Sequence, residues 1–198
     1  MNEQGAFFPA GAGWLLFFIV LIFVGLPLAI KGLYRVERAF DQTPAGKIEI
    51  KRIPESMVLV SESRGSYYGK RNYLFRRLFA YISENDVAMT APVEARIEEA
   101  QMAFYVGGQD KQKELKDQGG VRMMTVPQRT VASIGIRGTY SEGNFEKAKT
   151  RLERWLGDNT TYRQAGAAYA VFWDGPFMPW FLKRSEVHIP VGYPNRGD

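Results

Sequence analysis

The sequence predicts an α+β fold of two similar strand–helix–strand units, preceded by a helix that spans a membrane. Three observations carry this prediction: a charge-free apolar run near the start, two amphipathic stripes at helical spacing further on, and an overlay of the two halves of the remaining chain. At 198 residues, the length suits one compact domain plus an appendage. A hydrophobic content of 45% with 24% charged residues matches a globular chain rather than a disordered one.

Residues 12–30 contain no charged side chain, and Trp14 to Val24 is an unbroken run of large apolar residues. As a helix these residues span roughly 28 Å, close to the hydrocarbon thickness of a bilayer. Trp14 suits one interface and Lys31 closes the other. The start, Met-Asn-Glu-Gln, lacks the basic stretch of a signal peptide, and Pro27-Leu-Ala-Ile-Lys31 is a poor cleavage site, so an uncleaved single-pass anchor is expected. Lys31, Arg35, Arg38 and Lys47 follow the run and only the N-terminal amine precedes it. The positive-inside rule therefore favours a cytoplasmic domain, with a periplasmic one as the alternative. The resulting division is an anchor over 1–30, a juxtamembrane linker over 31–46 ending in Thr43-Pro-Ala-Gly46, a domain over 47–192 and a tail over 193–198.

Within the domain, Lys47–Lys51 alternates as a half-buried strand and Ser56–Ser61 reads as a more buried one. Leu74, Phe75, Leu78, Phe79 and Ile82 form the stripe of a first helix over Tyr67–Ser83. Asn85–Ile97, Gln101–Val106, Val121–Thr125 and Thr130–Ile136 are expected strands. A second helix over Asn144–Leu156 carries Phe145, Ala148, Leu152, Trp155 and Leu156, and Ala167–Trp173 and Glu186–Val191 close the order. Ile53-Pro54 and Val58 overlay Val126-Pro127 and Val131. Leu78, Tyr81, Ile82 and Asn85 overlay Leu152, Trp155, Leu156 and Asn159 one residue further along. Such a duplication implies a ligand cleft between sheet and helices.

Composition excludes much chemistry. With no cysteine there is no disulfide, iron–sulfur cluster, thiolate zinc site or thiol nucleophile. One histidine, His188, removes two-histidine metal motifs, and no Gly-x-Ser-x-Gly elbow supplies a nucleophile for it. Gly65–Arg71 lacks the spacing and the hydroxyl of a phosphate loop, and reads as the loop into the first helix. Glu98 and Glu99 fall on an expected strand and point to opposite faces, so they are no acid–base pair. Alternation in Ser185–Val191 turns Val187, Ile189 and Val191 inward and Glu186 and His188 outward. No metal site, no catalytic constellation and no nucleic-acid-binding signature is present, so a binding protein rather than an enzyme is expected.

One set of motifs is specific in combination. Met89-Thr-Ala-Pro-Val93 follows the first helix, Arg129–Gly138 precedes the second, and Asp174-Gly-Pro-Phe177 leads through Lys183-Arg-Ser-Glu-Val187 to Ile189-Pro-Val191. In this order and spacing the chain resembles the SOUL haem-binding family over residues 45–192. The resemblance implies a pseudo-symmetric, distorted antiparallel β-barrel flanked by two helices. It also implies that the protein's partner is haem or a related tetrapyrrole in an apolar cleft; with no evident axial ligand in this sequence, the group is expected to be held non-covalently and weakly ligated. A porphyrin suits apolar walls rimmed by cations, which makes Leu74, Leu78, Met89, Phe172 and Trp173 candidate walls and Arg76, Arg77, Lys183 and Arg184 candidate propionate partners. Another planar or amphiphilic molecule, or a lipid, is the alternative ligand. The bilayer is the second expected partner, through residues 12–30.

Overall fold

The computed structural model describes residues 36–175 and 177–193. The expected membrane helix over 12–30 lies outside them; among the described residues no helix is long and apolar enough to cross a membrane. The compact unit begins at Glu37.

A short strand β1 (Glu37–Arg38) is followed by β2 (Ile48–Ile53), β3 (Ser56–Glu62), helix α1 (Tyr67–Glu84), β4 (Thr90–Ala91), β5 (Val93–Arg96) and β6 (Gln101–Tyr105). Then come β7 (Val121–Val126), β8 (Arg129–Arg137), helix α2 (Glu142–Gly157), β9 (Arg163–Gln164), β10 (Tyr169–Phe172) and β11 (Arg184–Gly192). The large sheet runs β2-β8-β11-β10-β5-β6-β3-β7, every neighbouring pair antiparallel, with β9 beside the end of β11. Among the described residues β2 and β7 remain edges, so the sheet is open and the expected distorted barrel does not close.

The expected duplication is visible in this order. Exchanging β2 with β7, β3 with β8, β5 with β10 and β6 with β11 leaves the sequence of strands unchanged when read backwards. The local axis falls between β5 and β10, where Ala95 faces Ala170. Neither half is self-contained: β2 pairs with β8 of the other half, and β7 with β3. The sequence overlay finds its physical content at the helices, where Leu78 and Ile82 on α1, and Leu152 and Leu156 on α2, are all buried against the sheet. Gly65 and Ser66 lead into α1 as expected, although the Ser66 side chain caps nothing. Ser141 does cap α2, its hydroxyl accepting from the Asn144 N–H.

One face of the sheet packs on the helices, with Leu59, Phe104, Ile134 and Ile189 meeting Leu74, Leu78, Phe145 and Leu152. The opposite face carries Val58, Val60, Ala103, Tyr105, Val131, Tyr169, Val171 and Trp173. Residues 37–46, read from sequence as the end of a linker, form a strap across that second face. β1 pairs in parallel with β4, Phe40 packs into the apolar clusters, and Thr43 is fully buried. Gly135 permits the crossing: a Cβ there would stand 2.3 Å from the Pro44 carbonyl oxygen and 2.5 Å from that of Thr43. The Asn85–Ile97 strand is broken into β4 and β5, and Glu98 and Glu99 sit in the turn before β6, where Glu98 meets Lys149 and Glu99 meets Arg96.

Candidate functional site

The strap changes the reading of the lone histidine. His188 and Glu186 point away from the helices, as alternation required, but both are 0% exposed because the strap covers that face. The expectation that they face solvent is therefore corrected: the strand has two buried faces, and a period of two cannot reveal the second cover.

Glu186 is the hub of what lies beneath. One carboxylate oxygen accepts from the Thr43 backbone N–H at 2.8 Å and the Trp173 indole N–H at 2.7 Å. The other accepts from Lys51 Nζ at 2.6 Å, Ser133 Oγ at 2.8 Å and His188 Nε2 at 2.6 Å. Burial alone would push this carboxyl up, but hydrogen bonds from His188 and Lys51, with the Lys51 charge, outweigh it and hold it at about 2. Burial pulls His188 below the ordinary imidazole range, against the opposing pull of Glu186, so the neutral ring donates from Nε2 and accepts at Nδ1 from the Tyr169 hydroxyl at 3.2 Å. That hydroxyl in turn accepts from Arg129 Nε at 3.0 Å. Arg129 Nη2 and the Tyr105 hydroxyl both donate to Glu94 Oε2, at 2.5 and 2.7 Å. A continuous hydrogen-bonded chain thus crosses the sheet from Glu94 to Glu186. Phe40 lies over it, edge-on to Tyr105 at 5.6 Å and Trp173 at 5.4 Å, tilted to His188 at 5.8 Å, with Lys51 Nζ over its ring.

The polar groups belong mainly to one half. Register carries the row Arg122–Val60–Ala103–Glu94 onto Glu49–Ser133–His188–Tyr169. Where one unit has valine and alanine, the other has serine and histidine. Within the hydrogen-bonded chain each carboxylate has its own cation, Lys51 on Glu186 and Arg129 on Glu94, while Arg129 Nη1 is buried without a hydrogen-bond partner. The chain fastens the strap and leaves His188 without an accessible nitrogen for a ligand.

The nine residues expected to bind a ligand do not converge on one cleft. Leu74 and Leu78 are buried in the core under α1, and Met89 is half-buried against the same cluster. Trp173 is on the opposite face, committed to Glu186. Arg77 donates to the Gly119 and Glu62 carbonyl oxygens, and Arg76 is exposed on α1. Phe172, Lys183 and Arg184 do come together, around a residue that sequence reading missed. Tyr140, just before α2, packs against Phe172 at a centroid distance of 4.4 Å, the rings tilted by 32°, and carries Lys183 Nζ over its ring at 5.1 Å. Its hydroxyl accepts from the Asp174 N–H and donates toward the Arg184 carbonyl oxygen, and burial pushes its pKa up. Arg71 of α1 donates to the Tyr140 carbonyl oxygen, and Arg184 forks onto Asp174. Nothing in the local sequence pattern marks Tyr140, which follows a Gly-Thr loop; its partners are set by tertiary packing.

The half-open space beside Tyr140, Phe172 and Ser185 has about 10 Å³, room for one water. The space is far too small for a slot around a tetrapyrrole; what the residues offer at the surface is the half-buried Tyr140–Phe172 pair with Arg71 and Lys183 beside it. Among the described residues no group of three metal-ligating side chains is present.

Comparison with known proteins gives a consistent fold. The family model described as SOUL heme-binding protein matches residues 33–190. No curated protein sequence matches the chain. Among solved structures, EcmrR in its DNA complex is similar, with a TM-score of 0.62 at 16% identity over 86% of this chain; this chain spans 64% of that one. The crystal structure of the EcmrR C-terminal domain gives a TM-score of 0.61 at 16% identity, covering 75% of this chain and 98% of the other. A hydrolase from Listeria innocua gives 0.50 at 14% identity, with 84% and 98% covered. At these identities the likeness is one of fold.

Proposed function

Because the chain belongs to the SOUL haem-binding family, we propose that its domain binds haem or a related tetrapyrrole on the platform around Tyr140, for buffering, trafficking or sensing. The observation that carries this reading is the half-buried Tyr140–Phe172 pair, in contact at 4.4 Å, with Lys183 over the tyrosine ring and Arg71 at its edge, aromatic side chains beside two cations. Bound haem would bring iron redox and ligation chemistry. The protein's own residues supply stacking and two propionate partners, while His188 is committed elsewhere. That commitment favours loose ligation, and equally suits an iron-free planar or amphiphilic ligand. We further propose that residues 12–30 anchor the chain as a single membrane pass, with the domain cytoplasmic; reporters fused at the C-terminus test the orientation.

The test is a haemin titration of the full chain in lipid nanodiscs, read at the Soret band against empty nanodiscs. A saturable shift at one haemin per chain is expected. Lys183→Glu should weaken it by about tenfold, the loss of one charge-assisted contact, and Lys111→Glu, on an exposed loop, should not. A band indistinguishable from that of haemin in empty nanodiscs overturns the reading.

A further inference from the structure

Between β10 and β11 the chain carries a cluster of exposed apolar side chains that neither the core nor the Tyr140 platform uses. Phe177 is 97% exposed, Trp180 68% and Phe181 54%, with Met178 and Leu182 exposed beside them. Five large apolar residues facing water within six positions are not scattered surface residues but a contiguous patch.

The patch is held out by a built frame. Met178 N–H donates to the Gly175 carbonyl oxygen, and Leu182 and Lys183 N–H groups both donate to that of Pro179, closing consecutive turns. At the base, Asp174 takes the Arg184 backbone N–H and both arms of its guanidinium, and Trp180 and Phe181 meet edge to face at 5.6 Å. A loop so fixed loses little freedom on binding.

We propose that Phe177–Leu182 inserts into the headgroup region of an anionic lipid bilayer. Trp and Phe side chains have the chemistry of that interface. Around the base, Lys183, Arg71 and Arg137 (the register partner of Arg184 on β8) are cationic, while the Asp174 carboxylate is already taken by Arg184. An apolar tip above a basic collar matches an apolar interior beneath anionic phosphates. The inference rests on the anchored reading of residues 12–30: only residues 31–36 separate that run from β1, a stretch of about 20 Å at full extension.

The test uses the full chain reconstituted into phosphatidylcholine–phosphatidylglycerol vesicles whose acyl chains are brominated. Trp14→Phe removes the tryptophan of the apolar run and leaves Trp155, Trp173 and Trp180. The expected result is a blue shift and loss of about a third of the emission, from Trp180 alone, as depth-dependent contact with quencher requires. Adding Phe177→Asp and Phe181→Asp should restore the emission while circular dichroism stays unchanged. Alkaline carbonate extraction of the same vesicles reads the anchor separately. Protein that resists extraction while Trp180 stays unquenched overturns the loop inference and leaves the anchor standing. Extractable protein with quenched Trp180 does the reverse. A detergent-stable dimer broken by Phe177→Asp, with no quenching, assigns the patch to a second copy and overturns the inference.

Discussion

Glu186 shows how much one carboxylate can organise when five donors meet it in a place without water. Its ordinary pKa of 4.5 falls to about 2, and burial lowers that of His188. Both shifts act with the same sign. On unfolding in mild acid, histidine takes up a proton that the folded ring refuses, so stability begins to fall as pH drops below about 6.5. Glu186 adds its loss as pH falls from 4.5 toward 2, since the unfolded carboxyl protonates first. Denaturant midpoints recorded from pH 8 to pH 3 should be flat at the alkaline end and fall in two limbs. Glu186→Gln should shrink the lower limb, leaving the part due to Asp110 beside Lys113, and cost about 3–5 kcal/mol at neutral pH, because Lys51 then loses its buried partner. None of this was legible in the local pattern. Alternation placed Glu186 and His188 on the correct face of the strand, but their surroundings come from Thr43 and Phe40, more than 140 residues earlier.

At the scale of elements, the strap is the part that sequence reading assigned elsewhere. Residues 37–46 lack a strand-length alternation or a helical stripe, and the breakers at Thr43–Gly46 look like a connector. Their order comes from contacts across the chain: Ala39 N–H to the Ala91 carbonyl, Gly108 N–H to the Glu37 carboxylate, and Gly46 N–H to the Gly135 carbonyl. The helices, by contrast, were legible because a buried face repeats every three to four residues whatever the helix packs on. The close approach at Gly135 gives a sharp test of the strap. Gly135→Ala cannot be accommodated against two backbone carbonyls. It should destabilise the domain by about 2–3 kcal/mol, the usual cost of overpacking, and speed hydrogen exchange at Thr43 more than at Leu59. Equal acceleration at both sites would mean that the strap is no separate unit.

For the whole molecule, the open sheet and its internal two-fold are the main findings. The order of elements and the offset of about 73 residues were visible in the sequence, since both halves keep the same apolar spacing. The exchange of first strands was not, because register across β2–β8 and β3–β7 depends on which edge is free. It has a measurable consequence. A chain cut in the segment between β6 and β7 yields fragments each lacking a neighbour for an inner strand, so neither should fold alone. Mixed or co-expressed, they should recover the far-ultraviolet spectrum of the intact domain. An N-terminal fragment that unfolds cooperatively by itself would contradict the interlocked arrangement.

The strap's attachments also lie in series along the chain: Glu37 to Gly108, Ala39 to Ala91, the Phe40 ring, then Thr43 to Glu186. Tension entering from residue 36 therefore meets them one at a time, as in a zip, rather than all together as in a lap joint. The exposed Glu37–Gly108 bond carries the first load, and the buried carboxylate carries the last. Until the outer attachments let go, the Thr43–Glu186 contact beneath them bears none of the pull.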